Sequence, residues 1–350
     1  MANNLTGWLT IDRLNGEGNS VVTLTASTLA TLGERNASLK VKTSSKEAII
    51  NLYQQYYEEP LIPENIPNNQ LWVKSTDGKI IDRISPNSSI NVNLIEAELR
   101  TDGWSILTFD GDITYIPSKM FYSFHTVKEV VIPKSAQSIG SQAFYDCRYL
   151  DSIYISEGVT GIGKEAFYYC IRLTEITIPD SVTTINTNAF SNCQRLASID
   201  LGNGVTSIGN RAFQYCKALT EITIPNSVTE IGDSLFLYCT SIIEITIPDS
   251  VTYLGSGVFS NCTSLTSVTI GSGVTSIGLG SGTVGSVFRS CQNLSVIRCR
   301  AKIAPTVYPD TFYAVPKNKV LEYPSGSDYS SWLSTDETYL GYYGWTGVPY

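Results

Sequence analysis

Cysteine is the residue type in this chain with the most potential for chemistry, and most of its copies recur at one distance. Five consecutive gaps are each 23 residues long, and the sixth is 29. Metal-binding and redox cysteines usually lie in clusters with short spacing, so a 23-residue gap does not favour them. The eight positions are Cys147, Cys170, Cys193, Cys216, Cys239, Cys262, Cys291 and Cys299.

Other residue types keep the same period. A phenylalanine lies three positions before each of the first seven cysteines, and isoleucine or leucine recurs in phase from Ile139 to Ile277. One more copy lies upstream, with Phe121 in phase and Phe124 in the cysteine position. A fixed period in the twenties is typical of a leucine-rich-repeat solenoid. The long gap contains a six-residue insertion, "LGSGTV" at 279–284 or a similar stretch.

Within one repeat the apolar period changes. "LTEITI" at 173–178 alternates and predicts a strand, and "DSV" at 180–182 predicts a turn. In "INTNAFSNCQRL" at 185–196 the apolar residues have helical spacing, which predicts a short helix. The sequence therefore predicts a β/α leucine-rich-repeat solenoid with 23-residue repeats and short helices. A single unit buries too little to fold alone, so stacking must complete the core.

Stacking gives the cysteines a structural interpretation. Equivalent residues of adjacent coils lie about 4.8 Å apart, so the cysteines form an inward row. A thiol there acts as a small hydrophobe and as a weak donor to a nearby carbonyl. Disulfides along the row remain an alternative by distance, although parallel Cβ directions do not suit the required dihedral angle. Metal or redox roles are the least favoured, and Cys291–Cys299 is the pair to examine first.

The repeat pattern resembles a known family. The units at 219–239 and 242–262 follow "L-T-x-I-T-I-P-x-S-V-T-x-I-G-x-x-A-F-x-x-C". This is similar to the BspA-like leucine-rich repeats of bacterial and protist cell surfaces, and the resemblance covers residues 105–300. It implies export and a role in adhesion or recognition, without identifying a ligand.

The flanking segments carry further resemblances. The first segment is similar to a BACON domain in Trp8 to Ile11, the turn at 16–19, the strand Val21-x-Thr23-x-Thr25, the entry Arg35-Asn36-Ala37, and Gln54. That family was proposed to bind carbohydrate, notably mucin-type glycans, and a plain spacer role is the alternative. The flanks of the repeats resemble segments of gut Bacteroidetes proteins. The predicted organisation is a small all-β, sandwich-like domain (1–56), a proline-rich linker (57–69), a strand-rich N-terminal cap (70–104), the repeats (105–300) and a C-terminal cap (301–350).

Composition excludes several classes of partner. The net charge is −8 and no Lys/Arg-rich run exists, which argues against nucleic acid and against a basic membrane patch. No apolar run is long enough for a transmembrane segment. The start "MANNLTGW" is neither a signal peptide nor an anchor. Because the composition resembles exported bacterial proteins, we expect an extracellular or cell-surface protein whose signal or lipoprotein anchor has been removed; a cytosolic protein is the alternative.

The outward residues of the predicted strands make a candidate binding surface. This surface is mildly acidic and its side chains are small, which suits contact with a host or bacterial surface protein or with an extended glycan. The alternative is that Thr and Pro are simply good solvent-facing strand residues in a structural spacer or surface-layer component. The candidate residues are Tyr154, Glu175, Thr177, Asp200, Glu221, Thr223, Glu244 and Thr246.

Tyrosines form a second candidate site at the edge of the coil. Their rings suit sugar stacking or a partner anchor, and packing between coils is the alternative. The residues of this candidate aromatic edge are Tyr122, Tyr145, Tyr168, Tyr169, Tyr215 and Tyr238. The tail has its own aromatic cluster, which predicts a cap over the last coil: Trp332, Trp345, Tyr339, Tyr342 and Tyr343.

Nothing in the sequence favours an enzyme. The single histidine, His125, lies inside the first repeat without a nucleophile motif and is interpreted as a partly solvated repeat residue. The glycine-rich stretch 278–286 interrupts a repeat, so it predicts a protruding loop, a modest binding candidate, and not a phosphate site. Glu221 and Glu244 are column neighbours without a surrounding cleft. We therefore predict a non-enzymatic binding protein with no catalytic residue, no cofactor and no metal site.

Overall fold

The computed structural model describes the chain in segments. Side chains are described over residues 66–81, 92–278, 286–307, 311–312, 314–315, 319–333 and 345–350. Four strands before residue 55 are described by their backbone alone. The chain divides into two compact units, Met1–Pro63 and Glu64–Tyr350.

The first unit contains two antiparallel strand pairs. Its strands are β1 (Leu9–Ile11), β2 (Leu24–Ala26), β3 (Arg35–Lys42) and β4 (Glu47–Gln54). β1 pairs with β2, and β3 pairs with β4 along all eight residues. Trp8, the turn at 16–19 and the linker residues 57–65 lie outside the described residues, and the BACON-like resemblance stays a prediction.

The second unit is a β-solenoid of about nine turns. Each coil carries a first strand, a turn and a second strand of two residues, then returns through turns. The strands of this unit are β5 (Gln70–Ser75), β6 (Leu94–Leu99), β7 (Trp104–Phe109), β8 (Val127–Val131), β9 (Ser138–Ile139), β10 (Ser152–Tyr154), β11 (Gly161–Ile162), β12 (Glu175–Ile178), β13 (Thr184–Ile185), β14 (Ser198–Leu201), β15 (Ser207–Ile208), β16 (Glu230–Ile231), β17 (Glu244–Thr246), β18 (Tyr253–Leu254), β19 (Ser267–Ile270), β20 (Ser276–Ile277), β21 (Val296–Cys299), β22 (Thr306–Val307), β23 (Val320–Tyr323) and β24 (Thr346–Pro349).

The coils stack in register, one repeat per step. The second strands build one eight-stranded parallel sheet, from β9 to β22. Within it Ile162 pairs with Ile185, and Ile185 pairs with Ile208. The first strands form shorter parallel groups, which are interrupted between β10 and β12 and at the segment 221–224. Buried and exposed residues alternate along β12 and β14, and the Ile and Leu side chains of these strands face inward.

The predicted short helix is wrong, because no helix occurs among the residues that the structure describes. In the return segments from 119–123 to 257–261, two residues each adopt the left-handed conformation instead. In the segment 185–196 these are Asn188 and Asn192, with φ of 57° and 65°. Side chains cost energy in that conformation, and an α-helix has no place for it.

Hydrogen bonds show what replaces the helix. The N–H of Phe167 donates to the carbonyl of Ala189 in the next coil (2.8 Å), while the N–H of Ala166 donates to Gly163 in its own coil (3.2 Å). Alternate N–H groups therefore join neighbouring coils. The apolar residues predicted to face inward are nevertheless buried: Ala189, Phe190, Cys193 and Leu196.

The core is organised in straight rows along the solenoid axis. The centroid of the Phe167 ring lies 5.3 Å from that of Phe144 and 5.1 Å from that of Phe190, and Phe213 follows at 5.7 Å. All four rings are fully buried. The stacked, dry file that the 23-residue period predicts is confirmed. We call it the Phe row, and it continues through Phe288 to Phe312.

Both ends of the stack are covered by other elements. At the start, the antiparallel strand β5 pairs with β8, and β7 and β6 extend that sheet. At the end, the ring of Phe312 contacts Trp332 (6.0 Å) and Trp345 (5.1 Å). The indole N–H of Trp332 donates to the carbonyl of Pro305 at 2.9 Å. Tyr339, Tyr342 and Tyr343 lie outside the described residues.

A search of the described residues finds no helix of the length and apolarity needed to cross a membrane.

Candidate functional site

The cysteine row, Cys147 to Cys291, lies between coils in the interior. Each of its seven thiols donates to the carbonyl of the phenylalanine one coil earlier, with Sγ–O distances of 3.0–3.3 Å. The carbonyl of Phe144, for example, accepts the thiol of Cys170 and also the N–H of Cys147. The predicted thiol–carbonyl contact is confirmed.

These thiols are poor nucleophiles. Burial raises the pKa of Cys193 to about 12, although the backbone hydrogen bond acts in the opposite direction. Burial raises the pKa of Cys291 to about 12 as well. All eight cysteines are buried and free, Cys299 among them. A thiolate is the reactive form, so burial disfavours the reactive form of these thiols, and each thiol of the row donates a hydrogen bond to the preceding coil.

The solvent-facing side of the first strands carries the candidate binding residues. We call this side the strand face: the outward residues of β8, β10, β12, β14, β17, β19, β21, β23 and β24 and of segment 221–224. Glu175 lies beside Ser198 and Thr177 beside Asp200 in the β12–β14 pair. The next regular pair continues the pattern, with Glu244 beside Ser267.

The structure leaves most of the predicted residues open to solvent. Tyr154 is half-buried, beside Val131 in β8. Glu221 and Thr223 lie in the irregular segment 221–224, so no ladder fixes their register. The exposed residues are Glu175, Thr177, Asp200, Glu221, Thr223, Glu244 and Thr246.

The acidic side chains of this part of the strand face form no ion pair with another described residue. Within the described residues, no ion pair or side-chain hydrogen bond involves Glu175, Asp200, Glu221 or Glu244. Carboxylates in this state are fully hydrated and available to an incoming donor. At the start of the face the situation differs, because Lys74 and Lys128 both pair with Glu129.

The tyrosines of the aromatic edge pack on one another. The rings of Tyr122 and Tyr145 stack at 4.7 Å, and Tyr168 continues that stack at 4.9 Å. Tyr215 and Tyr238 form a separate stack at 4.7 Å. These rings therefore pack on one another, and a binding role of the aromatic edge stays a prediction.

The remaining edge tyrosine, Tyr169, occupies a different environment. Its ring contacts Tyr168 (6.1 Å), and the Arg148 guanidinium lies 5.5 Å from its centroid. Arg148 also donates to Asp146, as does the ring of His125. Partial burial raises the pKa of Asp146, but these hydrogen bonds outweigh it and the pKa falls below its usual value.

His125 lies at the surface of the first repeat. Its side chain is half-exposed and contacts Asp146 at 3.1 Å. Within the described segments no group of three or more His, Cys, Asp or Glu side chains is arranged to hold a metal ion. The insertion 279–284, within the predicted loop 278–286, lies outside the described residues.

A basic cluster at the C-terminal end of the strand face escaped the sequence analysis. The column that holds Thr246 and Thr269 continues into Arg298, Glu322 and Val348. There the surface forms an open depression of about 690 Å³. We call it the basic depression; it is lined by Arg298, Arg300, Lys302, Glu322, Pro324, Val348 and Tyr350. The stretch "IRCRAK" at 297–302 contained the sequence indication of this cluster, because its three cations alternate with Cys299 and Ala301, which are buried.

The chain has recognisable relatives at the level of sequence families. The family described as "BspA type Leucine rich repeat region" matches residues 114–242, 160–295 and 213–329, in six copies. None of the curated proteins compared with the chain matches it.

Solved structures give weaker likenesses. A T. pallidum leucine-rich repeat protein is 28% identical, with a TM-score of 0.41 over 54% of this chain and 84% of that one. A leucine-rich cell surface protein from Faecalibacterium prausnitzii is 23% identical, with a TM-score of 0.36 over 75% and 96%. A leucine-rich repeat protein from Bacteroides ovatus is 17% identical, with a TM-score of 0.36 over 91% and 99%. These TM-scores are too low to support an argument about this chain.

Proposed function

Because the chain belongs to the BspA-type leucine-rich repeat family, we propose that it is a non-enzymatic binding protein of the cell surface. Its strand face contacts a host or bacterial surface protein, or a glycan. The observation that supports this is the row of exposed, unpaired carboxylates and threonines, from Glu175 to Thr246, on a backbone held by stacked coils. Rigid strands position side chains for recognition better than loops do.

A glycan array and a pull-down on host surface and matrix proteins test this role with the full chain. We expect saturable binding that falls about tenfold or more in the double variant Glu175→Ala/Glu244→Ala. The matched control is Glu157→Ala/Glu230→Ala, which removes the same charge from exposed positions off the strand face. Equal binding by both double variants would contradict a role for this face.

A structural spacer is the second candidate. The specific observation in its favour is that five edge tyrosines stack on one another and that the acidic part of the strand face has mostly small side chains. Interfaces usually depend on Trp, Tyr and Arg anchors. The absence of any saturable ligand in both screens would favour this role.

The proposed location is outside the cell. The buried, protonated thiols support it, because they have little access to oxidants and so tolerate an oxidising environment as free cysteines. Protease treatment of intact cells of the source organism, followed by detection with an antibody, checks the location. Complete protection of the protein until lysis would contradict it.

The first unit adds a separate hypothesis of carbohydrate binding. Its support is the BACON-like sequence pattern and the antiparallel pairing of β3 with β4. Mucin-type glycans offered to the full chain and to a chain lacking residues 1–63 separate this role from the spacer alternative. Equal binding by the two chains would assign any mucin affinity to the second unit.

A further inference from the structure

The basic depression is the site where the charge of this chain is locally reversed. The molecule carries a net charge of −8. Yet Arg298, Arg300 and Lys302 line one depression in which Glu322 is the single acidic side chain among the lining residues. An isolated cationic site on an acidic protein attracts anions selectively, because the rest of the surface repels them.

Two of the three cations are free to bind. Arg298 donates from Nε to Glu322 at 2.5 Å, so its charge is partly used. Arg300 and Lys302 are exposed, and among the described residues neither has an ion-pair partner. Arg300 directly follows β21 and Lys302 lies in the bend after it, and both side chains line the depression. An arginine can hold a carboxylate or sulfate through two parallel hydrogen bonds.

An aromatic ring is fixed beside these cations. Tyr350 is 54% exposed. Its N–H donates to Tyr323, its carbonyl accepts from Ser325, and its hydroxyl donates to the carbonyl of Cys299 at 3.3 Å. Its ring is thus positioned without closing the depression. With Val348, which is also exposed, it provides an apolar platform on which a sugar ring can lie.

We propose that the basic depression binds an anionic oligosaccharide, one that carries carboxylate or sulfate groups. Arg300 and Lys302 hold the acidic groups, the Tyr350 ring supports a sugar ring, and Glu322 accepts from sugar hydroxyls. The inference rests on the proposed binding role of the chain, but not on the acidic part of the strand face.

Size and the aromatic platform favour a saccharide over inorganic anions. The depression is in the range of small-ligand sites, larger than inorganic phosphate requires. An acidic peptide would gain most by pairing its backbone with a free strand edge. The floor strands β21 and β23 are each paired on both sides, whereas β24, which carries Val348, is paired on one side among the described residues. An acidic peptide can use that edge alone, which makes it the competing occupant to test.

Calorimetry with the full chain tests the assignment with three probes of stated composition. These are a chondroitin sulfate tetrasaccharide, its desulfated and carboxyl-reduced counterpart, and an octaglutamate peptide. We expect binding of the first, at least tenfold weaker binding of the second, and a decrease in affinity with added salt. Binding of the peptide as tightly as the tetrasaccharide would overturn the proposal in favour of an acidic-peptide site, and no binding of the tetrasaccharide would overturn it outright.

Variants assign the binding to the depression. Arg300→Gln/Lys302→Gln should weaken tetrasaccharide binding at least tenfold, and Tyr350→Ala about fivefold. The control Arg195→Gln/Arg211→Gln removes two exposed arginines elsewhere and should leave affinity unchanged. Unchanged affinity in the first variant, or an equal loss in the control, would overturn the site.

The two proposals fail separately. Glu175→Ala/Glu244→Ala should retain tetrasaccharide binding, since those carboxylates lie on other strands. If the strand-face screens are negative while the tetrasaccharide binds and depends on Arg300, only the role of the acidic strand face is lost.

Discussion

Each thiol of the cysteine row is a packing atom and a hydrogen-bond donor between coils. Cys193 fills a fully buried position, and its sulfur donates to Phe167 at 3.2 Å. A hydroxyl would be smaller and more costly to bury, and a leucine too large. The row therefore repeats a residue that is apolar in volume but still polar enough to bind a carbonyl.

Cys193→Ala should lower the free energy of unfolding by about 1–2 kcal/mol, because it leaves a void and removes one contact between coils. Urea unfolding followed by circular dichroism measures the change. Arg195→Ala, an exposed position two residues away, should stay within about 0.5 kcal/mol of the unchanged protein. A neutral or stabilising effect of Cys193→Ala would contradict the role assigned to the thiol.

Alkaline pH should destabilise the solenoid through the same thiols. Burial raises the folded pKa of Cys193 and Cys291 to about 12, against about 8.5 when unfolded. Between these values the unfolded chain loses protons that the folded chain keeps, so stability is full below pH 8.5 and falls above it. Each such thiol contributes a slope of roughly 1.4 kcal/mol per pH unit. Urea unfolding between pH 7.5 and 10 measures this, and Cys193→Ala should flatten the slope by one such contribution.

At the scale of the element, the return segment is built on left-handed residues. They recur in register, for example at Glu165, Asn188 and Arg211, and at Tyr169, Asn192 and Tyr215. Asparagine tolerates this conformation, whereas glutamate, arginine and tyrosine are sterically strained in it. Bonds between coils, such as Arg211 N–H to the carbonyl of Asp233 at 2.9 Å, offset that strain.

A β-branched residue at one of these positions should be costly. Arg211 is exposed with φ of 58°, so Arg211→Val should lower stability by about 1–2 kcal/mol, while Arg211→Gly should be neutral or slightly stabilising. Arg195→Val is the matched control, since Arg195 is exposed without a positive φ. Equal melting temperatures for Arg211→Val and Arg195→Val would show that the left-handed backbone imposes no such cost.

The sequence predicted the elements unevenly, for a physical reason. The prediction of the inward-facing residues was correct, because the apolar pattern identifies the buried positions: Ala189, Phe190, Cys193 and Leu196. The helix was wrong, because the same spacing is compatible with a turn-rich return when alternate N–H groups bond to the next coil. Asn188 and Asn192 are of a type that favours the left-handed conformation. The equivalent positions of the preceding repeat hold Glu165 and Tyr169, which are not, so the sequence pattern did not indicate it.

The candidate site was predicted in part, and its limits follow from the stack. Outward strand positions such as Glu175 and Thr177 were predictable from period two. The basic depression was missed because its lining comes from β21, β23 and β24, and the last two strands lie beyond the repeat pattern. Arg300 and Tyr350 come together only in the folded chain.

At the scale of the whole molecule, stability depends on contacts between nearest coils. The rows of Phe, Cys and Ile pass through all central coils, and no contact ties one end of the stack to the other among the pairings of the described residues. A defect at one junction should therefore weaken the two coils that meet there and leave distant coils intact.

Gly204 offers such a defect in the middle of the stack. A Cβ on Gly204 would overlap the carbonyl oxygen of Asp180 in the preceding coil, so Gly204→Ala must push the two coils apart. We expect a loss of about 1–3 kcal/mol and a loss of amide protection in the coils around residues 160–230. Protection of the coils beyond residue 250 should change little, because their junctions are untouched.

Gly161→Ala is the control: its Cβ would lie 4.0 Å from the carbonyl oxygen of Thr184, so it should be neutral or slightly stabilising. Hydrogen exchange followed by mass spectrometry measures the protection of each coil. A uniform loss of protection along the second unit would mean that the coils unfold together, which would contradict a stack governed by nearest-coil contacts.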